Sequence, residues 1–125
     1  MLTNTTWNQS NIFKICNLSP EYSVKDLQEM IKKQQIVPNS FNEAIFNYNH
    51  TRNPNLTIDD PDFFPLKFIS IDGETQVWIS GVTSGYDVTG PQCTLRCLRM
   101  MGFKLDEFDE HRLFSEYITN ITYRK

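Results

Sequence analysis

Apolar residues recur at two spacings along this chain, and the change from one to the other sets the expected order of elements. Val24, Leu27, Met30 and Ile31 fall three and four apart, the period of one helix face, with Ser23 placed as N-cap and Asp26 in the capping-box position. This predicts a helix over 24–36, closed by Pro38 because the residue before a proline is pushed out of helical dihedrals. Phe41, Ala44, Ile45 and Tyr48 repeat that spacing behind a second pair of capping residues, Ser40 and Glu43, and predict a second, shorter helix.

From Leu66 the period drops to two. Segments 66–71 and 74–80 flank Asp72-Gly73, a strong hairpin signal. A two-residue turn sets Phe68 opposite Val77, so Leu66, Phe68, Val77 and Ile79 share an apolar face. The other face carries Lys67, Ile69, Ile71, Gln76 and Trp78, a mixed set that reads as partly covered or as a contact surface.

Beyond the hairpin, Gly81, Gly85 and Gly90 punctuate a loop. Thr89 is placed as an N-cap, Pro91 suits a first helical turn, and Leu95, Leu98 and Met101 mark a buried stripe ending at Gly102. Asp106 and Asp109 favour another helix start, with Phe108, Leu113, Phe114 and Tyr117 turned inward. The β-branched tail over 119–123 predicts a returning strand. At the other end, 12–16 forms a short strand candidate, and 1–11 reads as a loosely ordered Asn- and Thr-rich arm that Trp7 docks on the body. Residues 50–65 carry Asn53-Pro54, Asp60-Pro61 and Phe64-Pro65 and read as a long surface connection. The expected class is α+β: a single small domain over 1–125 with N-terminal helices, a central antiparallel β-hairpin and C-terminal helices packed on a small sheet.

Composition narrows the choices. With 125 residues, 39% hydrophobic and 13% aromatic, the chain fills one core and not two. A formal charge of −3 disfavours a nonspecific grip on nucleic acid and suits approach to a basic protein. The start at Met1 lacks a basic, apolar leader, and no stretch approaches a membrane span, so the expected location is the cytosol. Cys16, Cys93 and Cys97 are an odd set without repeated spacing, read as reduced thiols. The Asn-x-Thr triplets at Asn49 and Asn55 are read as chance matches rather than glycan sites.

Candidate chemistry is sparse. Cys93 and Arg99 have the C-x5-R spacing of thiol phosphatases, but the residues between them read as helix rather than as a phosphate-cradling loop. The 81–90 glycine loop leads to a helix N-terminus, an intrinsic anion site, yet lacks Gly-Lys-Ser/Thr and G-x-G-x-x-G. His50 and His111 stand at no metal spacing, and Glu107 with His111 is an ordinary i, i+4 pair, so neither a metal nor a cofactor is expected. Arg96 and Arg99 read as a solvated face, with Arg99 in reach of the acidic segment after it. Asp106, Glu107, Asp109 and Glu110 complement a helix dipole. Asp59, Asp60 and Asp62 instead lie beside Phe63 and Phe64 in a long loop.

These observations favour a non-enzymatic protein-binding domain, most concretely an immunity protein or inhibitor that neutralises a basic, nuclease-like toxin or enzyme. Asp59, Asp60, Asp62, Phe63, Phe64 and Trp78 are its expected contact residues. One alternative is a small enzyme or anion-binding domain using the glycine loop and the Cys93 to Arg99 helix. Another is a homo-oligomer built through Trp78 and the mixed sheet face.

Overall fold

The Phe68-to-Val77 register places apolar side chains of both hairpin strands on one face, and the rest of the chain is arranged to cover that face. In the computed structural model, which describes residues 2–7, 10–51, 55–85 and 88–125 and side chains from residue 11 onward, the strands form one mixed sheet. They are β1 Leu2–Trp7, β2 Ser10–Ile15, β3 Phe41–Asn49, β4 Leu66–Ser70, β5 Thr75–Ile79 and β6 Ile118–Arg124, in the order β1-β2-β5-β4-β3-β6. Among the described residues only β2 and β5 pair in parallel. Helices α1 Pro20–Lys32, α2 Thr89–Met100 and α3 Glu107–Ser115 contribute to the same core as the apolar hairpin face. The protein is a small α+β domain with helices flanking a sheet.

The hairpin follows the predicted register, with Leu66 opposite Ile79 and Phe68 opposite Val77, all four side chains fully buried. Its ladder ends at Ile69 opposite Gln76, two steps short of the Asp72-Gly73 pair. The Asp72 carboxylate accepts from Ser70 Oγ at 2.6 Å and from the Glu74 N–H at 2.9 Å, and these bonds hold its pKa below the ordinary aspartate value. Gly73 takes the left-handed conformation at φ 76°.

The second predicted helix is instead β3. The register slips between Phe41 and Glu43, so the buried positions run Phe41, Ala44, Phe46. A bulge inserts one residue and converts a two-residue period into an apparent three-residue step, which imitates a helix face in the sequence. Ser40 caps nothing here: it ends a 3-10 turn, Pro38–Ser40, and its carbonyl accepts from the Ile71 N–H at 2.8 Å. Among the described residues a single α-helix therefore precedes β3.

That helix, α1, begins earlier than expected. Pro20 supplies its first turn, and Ser23, predicted as the N-cap, is fully buried with Oγ donating to the Ser80 carbonyl at 2.7 Å. Ser80 Oγ accepts from the Asn17 N–H at 2.7 Å and lies 2.8 Å from the Asn17 carbonyl, so two serines tie the ends of β2 and β5 to the start of α1. The predicted arm is replaced in part by β1, antiparallel to β2; the docking of Trp7 concerns a side chain outside those described. Helix α2 starts at Thr89 with Val88 rather than Thr89 as N-cap, and Gly102 follows its end at φ 87°. The Asp106–Asp109 capping box forms in both directions. Leu113 is buried as expected, but Phe108 is 68% exposed, and Tyr117 lies beyond α3 with its ring against Gly85 and 5.1 Å from the His50 ring.

Two consequences for stability arise in this core. A Cβ on Gly90 would lie 1.8 Å from Thr83 Oγ1, so Gly90→Ala must displace α2 or the 81–85 segment; a loss of about 1–3 kcal/mol is expected in denaturant unfolding. The buried Tyr123 hydroxyl has no hydrogen-bond partner among the described residues, and burial, reinforced by the Asp109 carboxylate, pushes its pKa up to about 12. The folded pKa exceeds the unfolded one, so the tyrosine's contribution is complete below pH of about 10 and is lost as pH rises towards 12. Tyr123→Phe should remove that alkaline loss and leave stability at neutral pH unchanged or raised by about 1 kcal/mol, as read from unfolding midpoints across that range.

Candidate functional site

The sheet face away from the helices is closed at one end and open over the remainder. Across it, Thr122, Ile45, Lys67, Trp78 and Lys14 form one row of paired positions, and Arg124, Glu43, Ile69, Gln76 and Ile12 form the next. The connection over 58–64 folds back onto the Trp78 end. A 3-10 turn, Pro61–Phe63, turns Phe64 into the sheet, where Phe64, Ile12 and Trp78 make a second small core flanked by Cys16 and Phe63. Phe64 lies edge-on to Phe63, with ring centroids 5.2 Å apart, and 5.7 Å from the Trp78 ring.

Two lysines fix the loop in place. Lys14 Nζ donates to the Ile58 carbonyl at 3.0 Å, and Lys67 Nζ donates to the Phe64 carbonyl at 2.9 Å. Their ammonium groups lie 5.6 and 5.1 Å from the centre of the Trp78 ring, one from each neighbouring strand. Burial lowers the pKa of Lys67, while the carboxylates of Asp62 and Asp60 act in the opposite direction. Asp60 caps the turn by accepting from the Asp62 N–H at 3.0 Å. The loop thus holds Asp59 and Asp62 exposed, Asp60 partly so and Ile58 39% exposed, on a backbone pinned at both ends.

Of the six residues singled out in the sequence, the structure brings all into one neighbourhood but gives them different places. Asp59 and Asp62 face solvent and Phe63 is half-buried, whereas Phe64 is fully buried and Trp78 is 4% exposed, with Nε1 donating to Gln76 Oε1 at 2.8 Å. Phe64 and Trp78 therefore anchor the loop rather than present surface. In the sequence Lys67 was marked only by its place on the mixed hairpin face, and Lys14 only by its place in the short strand candidate over 12–16.

The other candidates are placed less favourably for chemistry. The residues from Cys93 to Arg99 are helical throughout, so no phosphate-cradling loop joins them. Both Cys93 and Cys97 are buried, and burial raises both thiol pKa values, which opposes formation of a thiolate. Arg99 is paired with Glu110 of α3, and Arg96 is exposed. In the glycine loop, Gly81 and Gly85 take left-handed conformations at φ 83° and 110°, and the buried Gly90 packs against Thr83 at the start of α2. His50 and His111 are exposed, and among the described residues no group of His, Cys, Asp and Glu is arranged to hold a metal ion. A groove of about 550 Å³ between 35–41 and the hairpin turn, lined by Ile36, Val37, Ser70, Ile71 and Asp72, had no counterpart in the sequence reading. It lies at the end of the hairpin opposite Phe64. Among the described residues no helix is long and apolar enough to cross a membrane.

No protein-family model, curated protein or solved structure matches this chain. The class defined by the structure is an α+β sheet-and-helix domain carrying a pinned acidic loop.

Proposed function

We propose that this chain is a protein-binding domain that offers the 58–64 loop to a basic partner, in the manner of a cytosolic immunity protein or inhibitor covering the active site of a toxin. The observation that supports this most directly is the paired anchoring of the loop by Lys14 and Lys67 over Trp78. Exposed carboxylates on a mobile loop lose conformational entropy when they bind; a loop already held in one shape avoids much of that loss. The charge pattern suits the same task, because carboxylates at the rim raise the encounter rate with a basic surface and select against acidic ones. The half-exposed Phe63 and Ile58 supply apolar contact beside the charges.

The test is binding to a basic protein recovered with the tagged chain from its native lysate. Affinity should fall with added salt and with Asp59→Lys combined with Asp62→Lys, leaving the Asp60 cap in place. Binding indifferent to both changes would overturn the reading.

A further inference from the structure

Helix α1 ends where Gln34 takes a left-handed backbone at φ 59°, a conformation that costs a non-glycine residue energy. The chain then runs through Gln35, Ile36 and Val37 beside the β4–β5 connection, with the groove of about 550 Å³ between them. The Ile71 N–H donates to the Ser40 carbonyl at 2.8 Å and joins the two sides, so the cleft is built into the fold. Ile36 and Phe41, both buried, line it together with Val37 and Ile71, which are 52% and 67% exposed. Large aliphatic side chains left in water around one cleft mark a surface that gains by being covered.

Among the residues lining the groove, the one charge is Asp72. Ser70 Oγ accepts from the Thr75 N–H at 3.0 Å and donates to Asp72 Oδ1 at 2.6 Å, and the Glu74 N–H donates to the same oxygen at 2.9 Å. These bonds hold the carboxylate in place through one of its two oxygens. No ion pair to Asp72 forms among the described residues. Lys125, bound to the neighbouring segment, donates to the Pro38 carbonyl at 2.9 Å instead.

We propose that this groove binds a small organic cation, an ammonium or guanidinium group on an apolar stem, with the cation at Asp72 and the stem against Val37 and Ile71. Each part of such a ligand has its counterpart. The carboxylate accepts a charge-assisted bond, and the aliphatic walls take the stem out of water. The exposed side-chain amides of Gln35 and Asn39 add hydrogen-bonding groups. The volume falls within the range of small-ligand sites, about 300–1,000 Å³, and the cleft offers a single charge rather than the broad patch a protein partner covers. The groove lies at the end of the hairpin opposite the acidic loop, so the inference stands apart from the proposed function.

The test is NMR titration of the backbone amides with phenylbutylamine, and with phenylbutanol and phenylbutyrate as the neutral and anionic forms of the same stem. At millimolar concentration the amine should shift amides within 35–41 and 70–75. It should bind about fivefold more tightly than the alcohol, and the acid should bind most weakly. Asp72→Asn keeps an acceptor for Ser70 and Glu74, so the turn should survive while amine affinity falls to that of the alcohol. Val37→Ser should weaken amine and alcohol by the same factor. Acetyl-lysine methylamide, the same cation on a peptide unit, should bind less tightly than the amine; tighter binding would overturn the assignment to a free small ligand. Equal binding of amine and alcohol, shifts confined to other residues, or no shifts at millimolar amine would overturn the site itself.

Discussion

Trp78→Ala should cost about 3–5 kcal/mol of folding stability and release the acidic loop at the same time. Trp78 is 4% exposed, packs against Phe64 and lies beneath the ammonium groups of Lys14 and Lys67. Truncation removes the floor of the second core and leaves both lysines over a cavity. Denaturant unfolding gives the stability loss, and limited proteolysis or hydrogen exchange within 58–64 gives the loss of order. Trp78→Phe keeps a ring but loses the bond to Gln76, and should fall well short of that cost. An alanine variant with unchanged midpoint and a protected loop would show that Trp78 is not the anchor of this segment.

The same residue illustrates how far the sequence could be read. The hairpin was legible down to its register because Asp72-Gly73 fixes the turn locally and alternation fixes the faces. The mixed second face suggested partial cover, but not what covers it. Phe64 reaches Trp78 only because the intervening chain folds back, and Lys14 joins from a strand parallel to β5. Such contacts depend on strand order, which periodicity does not encode. The last strand, the C-terminal helices and the Arg99–Glu110 pair followed from local signals and sequence proximity. Segment 41–49 was misread because its bulge shifts the buried phase, and Ser23 because a buried serine and an N-cap serine look alike until Ser80 is placed beside it. The acidic residues of the loop were conspicuous; the lysines that fix it were not.

The second large effect is expected from charge. Replacing Asp59 and Asp62 by lysine changes the loop's charge by four units while retaining the Asp60 cap and the Phe64 anchor. Against a basic partner, attraction becomes repulsion at the rim. A loss of about 100-fold in affinity is expected at low salt, carried largely by slower association. Stability should change far less than in Trp78→Ala, because both carboxylates are solvent-exposed.

The most direct measurement compares binding of wild type and the Asp59→Lys, Asp62→Lys variant to the recovered basic partner at ionic strengths of about 0.05 and 0.5 M, with unfolding midpoints taken in parallel. The account predicts a large affinity gap at low salt, a much smaller one at high salt, and closely similar midpoints. Equal affinities at both ionic strengths, or no basic partner recovered at either, would contradict it.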